Sequence, residues 1–363
     1  MSPDARDVPA APRSGVEVLE YAILISPSTN RVYADTAQQM TCGELRVFGE
    51  TVLDGRIHDL AGTSIGGVPY VRMHAAGLSD EDISVLSNLS SVYALFEVRG
   101  ELLKPLRLNP LDRFSSDLLT IQKYAGKTNE QFTKLLLNVT AMSTDSPKDF
   151  LRRPLRVFDP MCGRGTTLNQ AAMYGFDAYG MDIDGKDFEA YSTFIQTWLK
   201  NKRLKHSAQV VPVRRNREML GRRLAISFGI TKEQYKAGEV RTIDYVSADT
   251  LRSRDVYGRE GFDILVTDTP YGVQHGSTRQ SGLARSPMRL LESALPAWVQ
   301  LVRPGGALGL SWNTYVGNRD TLAAVLRDNG LQVRDSEAYL GFQHRVDQAI
   351  TRDLIVASKP GNA

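Results

Sequence analysis

Cysteine is nearly missing from this chain: Cys42 and Cys162 are the only two among 363 residues. With no C-x-x-C pair and no Cys/His cluster, a disulfide framework and a common zinc site are excluded; no metal is expected, and the usage fits a reducing cytoplasm. Long apolar runs are also lacking, and no window approaches the roughly 20 residues that a membrane helix needs. An excess of one charge sign is lacking too. The formal charge of +3 is too small to imply nucleic-acid binding by itself, so the local distribution of cations matters more. There is no internal repeat at solenoid periods. The opening MSPDARDVPAAPRSG has no apolar core and reads as a disordered tail (1–15) rather than a signal peptide. What is present is 42% apolar residues, enough for a sizeable core and more in keeping with two domains than with one.

The stretch around which the chain is organised runs from Val157 to Asp184, VFDPMCGRGTTLNQAAMYGFDAYGMDID. Its pattern predicts a strand ending at Phe158, a tight loop over 159–166, a helix over 167–174, and a second strand ending in Asp182. Leu168, Ala171 and Ala172 have the spacing of a buried helical stripe. Gly163 and Gly165 remove side chains that would keep a ligand from the backbone. An acid at the tip of the second strand is placed for a ribose diol. In the dinucleotide fingerprint a third small residue seats the helix, but that position here is Leu168. Asp159 before the loop would repel a phosphate and attract an ammonium. A ligand with an ammonium at one end and a ribose at the other is S-adenosylmethionine.

DPMCGRGT resembles the D-P-x-C-G-x-G-T loop of class I methyltransferases, especially the RNA-modifying group that includes the THUMP-domain enzymes. That resemblance implies cofactor contacts from Asp159, Pro160, Met161, Cys162, Gly163, Gly165 and Thr166, and from Asp182 with its neighbour Ile183. In the resembling fold an acid after the third strand accepts from the adenine amino group, which points to Asp249 and to Thr250 beside it.

Upstream, residues 16–112 alternate strand and helix patterns and predict a small α/β domain, similar to the ferredoxin-like domain that opens THUMP-containing enzymes, with no THUMP core after it. Ser79 followed by three acids is a helix start. His58 and His74 are isolated and read as surface or partly buried histidines. Residues 113–153 read as a helical segment and a linker. Thr128 or Asn129 can cap a helix carrying Phe132, Leu135, Leu136 and Val139 on its buried face. The Tyr-Ala-Gly-Lys-Thr-Asn stretch at 124–129 also resembles one in tRNA guanine methyltransferases, which implies a cofactor contact for Thr128.

The methyltransferase domain is expected over 154–363, as a mostly parallel seven-stranded sheet with helices on both faces. A basic insertion over about 200–241 interrupts it. Lys200, Lys202, Arg203, Arg214, Arg215, Arg217 and Arg222 fall there; such a run is either a solvated face or a phosphate-binding surface.

Phe262 to Thr267 is a continuous apolar run of the kind buried in a parallel sheet. It ends in Asp268-Thr269-Pro270-Tyr271-Gly272. This resembles the [Asp/Asn]-Pro-Pro-[Tyr/Phe] tetrapeptide of methyltransferases acting on exocyclic amino groups, and the DPPYG form of tRNA guanine-N2 enzymes. An aromatic amine is a poor nucleophile because its lone pair is delocalised. A carboxylate (Asp268) and a backbone carbonyl (Thr269) that accept its two N–H groups favour the pyramidal, attacking nitrogen. Tyr271 offers a face for the base to stack on, and Pro270 biases Thr269 toward extended dihedrals. Thr269 stands where the first proline is usual.

The expectation is therefore an S-adenosylmethionine-dependent methyltransferase acting on a nucleobase amino group in RNA, tRNA guanine N2 first. DNA adenine-N6 or cytosine-N4 methylation is the alternative within the class. A nicotinamide oxidoreductase and a non-catalytic RNA-binding protein are the alternatives outside it. The sequence gives neither the target nucleotide nor the oligomeric state.

Overall fold

The structure is a computed structural model and describes residues 18–28, 31–124, 126–259, 261–269 and 287–361. The expected tail, Pro270 and Tyr271 lie outside the described residues.

The first unit follows the order β1 (Leu19–Ile25), α1 (Arg31–Thr51), β2 (Ile57–Ile65), β3 (Val68–Ala75), α2 (Asp80–Leu86), β4 (Val92–Arg99) and β5 (Leu102–Leu106). Its antiparallel sheet is ordered β2-β3-β1-β4-β5. Ser79 caps α2 in a reciprocal capping box with Asp82, whose carboxylate also takes a forked pair from Arg56. Sequence patterning leaves out β2. It is an edge strand with only Ile57 buried, so it carries no apolar alternation to detect.

The connecting segment holds α3 (Asp117–Thr120), α4 (Glu130–Met142) and α5 (Asp149–Arg152). The expected polar linker is therefore partly helical, and Phe150 within it packs edge-on against Tyr174 and Phe176.

The remaining elements are β6 (Arg156–Asp159), α6 (Thr166–Met173), β7 (Asp177–Asp182), α7 (Gly185–Asn201), β8 (His206–Arg215), β9 (Glu218–Phe228), α8 (Lys232–Lys236), β10 (Arg241–Ser247), α9 (Ser253–Tyr257), β11 (Phe262–Asp268), α10 (Pro287–Leu301), β12 (Val302–Asn313), α11 (Arg319–Asp328), β13 (Gln332–Arg334), β14 (His344–Arg345) and β15 (Thr351–Ser358). Among the described residues the sheet has ten strands rather than seven. Its order is β13-β15-β12-β11-β6-β7-β10-β9-β8, with β14 paired to β15. From β10 to β12 the neighbours are parallel, and β15 is antiparallel to β12. The additional width comes mainly from the basic insertion, which folds as the β8–β9 hairpin and extends the sheet antiparallel to β10.

β11 is buried from Phe262 to Thr267 because both faces of the sheet are covered. Ile264 and Val266 join one core, Leu265 the other, as the two-residue period of a strand requires. The first core is shared with the N-terminal unit: Ile23, Met40 and Phe48 belong to the same buried cluster as Leu135, Leu136 and Val139 of α4. Glu44 of α1 crosses this seam. Its carboxylate accepts from Ser90 N–H and hydroxyl and from Asn138 Nδ2, while Asn138 Oδ1 accepts from the Tyr174 hydroxyl.

Asp263, at the start of β11, is buried beneath Arg153 and Arg303 and accepts Arg156 N–H as well. Burial alone would raise its carboxyl, but these donors more than offset that and hold it below the usual range. β11 is thereby tied at its base while its tip carries Asp268.

α4 lies across β12 so closely that a Cβ on Gly309 would stand 1.9 Å from Thr140 Oγ1. Gly309→Ala is expected to push α4 off the sheet and destabilise the chain by about 1–3 kcal/mol. Chemical denaturation reads this directly, and an unchanged midpoint would show that α4 tolerates the displacement.

Candidate active site

The carboxyl ends of β6, β7 and β11 open into one cleft of ≈ 540 Å³, the place where ligands bind in open α/β sheets. Asp159, Gly163, Asp182 and Asp268 line it together.

The glycine loop is shaped by two different demands. Gly163 has φ 48°, and a Cβ there would meet only Asp187 Oδ2, at 3.8 Å, so its backbone faces open space. Gly165 has φ 76°, and a Cβ would stand 2.3 Å from the Tyr191 ring. Gly165 is therefore glycine to seat the loop on α7, whereas ligand access accounts for Gly163 alone. Asp182 accepts N–H from Gly163 (2.8 Å) and from Asp184 (2.9 Å), fixing the loop against the β7 tip. Burial raises its carboxyl, and those two N–H groups pull it partly back.

Asp159 is only 3% exposed, and its Oδ1 accepts Met161 N–H at 3.0 Å. Burial pushes this carboxyl up to about 7, against the lowering effect of the Thr167 hydroxyl and Met161 N–H, and the neighbouring Asp182 charge adds to the rise. Such a group favours a cation that would share the cleft with it.

The segment before α4 closes the other side. Tyr124 hydrogen-bonds Thr166 Oγ1 at 3.2 Å, and Arg164 stacks 4.8 Å over its ring while pairing with Asp187. Asn129, not Thr128, caps α4 through the N–H of Phe132. This leaves Thr128 Oγ1 to donate to Asp268 Oδ2 at 2.6 Å. Asp268 Oδ1 accepts from the Ser311 hydroxyl, and Arg352 Nη2 lies 3.4 Å from Oδ2. Arg352 is itself buried, with its guanidinium 4.4 Å from the Phe132 ring centroid.

Thr269 is 1% exposed, and both its N–H (3.0 Å) and its hydroxyl (2.8 Å) donate to the Ser311 carbonyl. A proline there would offer neither donor. The threonine thus strengthens the link between β11 and β12 at the site.

Met161, Cys162 and Thr166 also line the cleft. Burial raises the Cys162 thiol well above its ordinary value, so it is a packed side chain rather than a nucleophile. Pro160 is buried and Ile183 is 73% exposed, and neither is part of the cleft lining. Asp249 and Thr250 are likewise not part of the lining. Asp249 caps a short 3₁₀ turn through Leu251 N–H, and Thr250 accepts from the Trp298 indole. Sequence reading missed Ser311 and Arg352. The available signal was a cation inside the buried run of β15, a position that demands a charged partner.

Part of the basic insertion is committed to the fold. Lys202 pairs with Asp117, Arg215 with Asp255, and Arg222 with Glu189. Among the described residues, Lys200, Arg203, Arg214 and Arg217 carry no ion pair. Charged side chains along the outer strand β8 also protect an open sheet edge from pairing with other chains.

Replacing Arg352 by Met would leave Asp268 short of a buried partner and is expected to destabilise the chain by about 1–3 kcal/mol. In a double-mutant cycle with Asp268→Asn the two losses should be less than additive; additive losses would mean that the pair is not coupled.

Residues 151–303 match the family model described as UPF0020, RMKL-like, methyltransferase domain. No curated protein matches the chain. Among solved structures, TrmN from Thermus thermophilus is 14% identical, with 94% of this chain and 99% of that chain covered and a TM-score of 0.41. Magnesium protoporphyrin IX methyltransferase from Synechocystis PCC 6803, solved with bound S-adenosylmethionine, is 13% identical; the match covers 67% of this chain and 88% of that one, with a TM-score of 0.38. A Burkholderia thailandensis 1,6-didemethyltoxoflavin-N1-methyltransferase, solved with S-adenosylhomocysteine, is 15% identical over 66% and 93%, with a TM-score of 0.34. The matched residues, 151–303, contain both DPMCGRGT and DTPYG, the two motifs on which the methyltransferase resemblance rests.

Proposed function

We propose that this chain transfers a methyl group from S-adenosylmethionine to an exocyclic amino group of a nucleobase in RNA, with tRNA guanine N2 the first substrate to test. The observation that carries this reading is that Asp159 and Asp268, from the two motif strands, line a single cleft.

The residues present suit the cofactor. Asp182 and the open backbone at Gly163 supply a ribose-facing edge, and Asp159 supplies a buried counter-charge for an ammonium. When bound, S-adenosylmethionine provides a methyl group activated by a sulfonium. The chain's own task is to hold and prepare the amine. Asp268 accepts an N–H of that amine, and the Thr269 carbonyl is the second acceptor. Both drain the delocalisation that makes the nitrogen unreactive. Thr128, Ser311 and Arg352 fix the Asp268 carboxylate in one plane, so orientation is arranged before the base arrives. Tyr271 is assigned to stacking by resemblance. A base in a folded RNA reaches the cleft only out of its stack. Lys200, Arg203, Arg214 and Arg217 are the cations available for phosphate contact, a smaller set than the insertion's composition suggests.

Incubation with labelled cofactor and either total tRNA or genomic DNA separates the two substrates, and nucleoside mass spectrometry of the product names the base. Asp268→Ala should lower methyl transfer by about 100-fold or more while leaving S-adenosylhomocysteine binding intact. Undiminished transfer by that variant would remove Asp268 from the mechanism. Binding of S-adenosylhomocysteine should also depend on pH through Asp159. With the free carboxyl at about 7, binding an ammonium below that pH expels a proton. Affinity should therefore rise by up to about tenfold per unit as pH climbs toward 7, then level off above it. Asp159→Asn should flatten the profile; an affinity independent of pH in the parent chain would argue against the counter-charge role.

A further inference from the structure

The N-terminal sheet holds a cluster with no part in the methyl-transfer site. His58 of β2 and His74 of β3 are directly opposed in the antiparallel register, with rings 5.8 Å apart and 15° from parallel. Successive strand residues ordinarily face opposite sides, which would send Asp59 away from both. Instead the register shifts between His58 and Ala61, and Asp59 adopts φ 53°, a left-handed backbone that is uncommon outside glycine. This bulge returns the Asp59 carboxylate to the histidine side. Oδ2 lies 3.0 Å from His58 Nδ1 and 3.6 Å from His74 Nδ1.

We propose that His58, Asp59 and His74 form a binding site for a divalent transition-metal cation of the zinc class. One donor atom from each residue lies within 4.8 Å of the others. Two donors on one zinc ion, each about 2.0–2.1 Å from it, sit about 3.3 Å apart in tetrahedral geometry, and the 3.0 and 3.6 Å separations bracket that value. A second observation points the same way. His74 Nδ1 is buried and has no hydrogen-bond partner among the described residues, although it faces a carboxylate oxygen. A bound cation satisfies both groups at once. Two imidazoles and one carboxylate suit zinc, copper or nickel, whereas calcium and magnesium prefer all-oxygen shells. Three protein ligands leave at least one position open to water, and the Asp59 side chain is 72% exposed. His58 and Asp59, though not His74, line a cleft of ≈ 340 Å³ whose wall also includes Arg46, Glu50 and Glu337.

The test uses the full chain, freed of metal by chelation and titrated with Zn²⁺ in isothermal calorimetry. Visible absorption of the Co²⁺ form serves as a second readout. One equivalent should bind, and His58→Ala or His74→Ala should each weaken binding by about tenfold or more. Asp59→Gly is the folding-safe variant, because glycine accepts the left-handed backbone while removing the ligand. It should weaken binding without lowering the melting temperature of the metal-free chain. Absence of a Zn²⁺ isotherm in the parent chain would overturn the site. So would binding that survives all three substitutions, which would mark the ion as held elsewhere.

Discussion

The Asp268 carboxylate is the point on which the rest of the molecule converges. Its donors come from three distant parts of the chain: Thr128 before α4, Ser311 in β12 and Arg352 in β15. Each position is set by a larger packing decision. Thr128 is in reach because α4 lies flat on β12 across Gly309, and because Asn129 has taken over the capping of that helix. Ser311 is in register because Thr269 is bound twice to its carbonyl. Arg352 is in place because β15 runs antiparallel beside β12, with its guanidinium against Phe132. A carboxylate half-withdrawn from water needs such donors, since charge left unpaired there costs several kcal/mol.

The acids of the cleft are held differently. Asp268 is pinned by side chains and Asp182 by two backbone N–H groups, whereas the more deeply buried Asp159 is met by Met161 N–H and the Thr167 hydroxyl. Burial pushes the Asp159 carboxyl up to about 7 despite those donors, which leaves it in need of an external cation. Glycine has two uses in one loop: Gly163 leaves room, and Gly165 lets the loop settle onto Tyr191.

The N-terminal unit is not a passenger. Its helix α1 shares a core with α4, and the buried Glu44 accepts hydrogen bonds from Ser90 and from Asn138. Burial raises that carboxyl, while its hydrogen bonds pull the other way. A buried polar network of this kind tolerates few alternative arrangements, so it fixes how α4 is presented to the site.

The sequence by itself determined the elements whose signal is local. The glycine loop, the apolar run of β11, the acids at strand tips and the Ser79 cap all depend on neighbours within a few residues. The cofactor-loop resemblance is of the same local kind. The tertiary structure alone decided what depends on pairing between distant segments. It assigned Thr128 to Asp268 rather than to a helix cap, and set Asp249 as the cap of a short turn. It spent Lys202, Arg215 and Arg222 on ion pairs and built β2 from an edge too wet to announce itself. His58 and His74 show the reason most plainly. Sixteen positions separate them in the chain, but an antiparallel register places them face to face, and one left-handed residue turns a carboxylate toward both. Side-chain periodicity is written in sequence, whereas register and bulges are set by the competition of whole strands for partners.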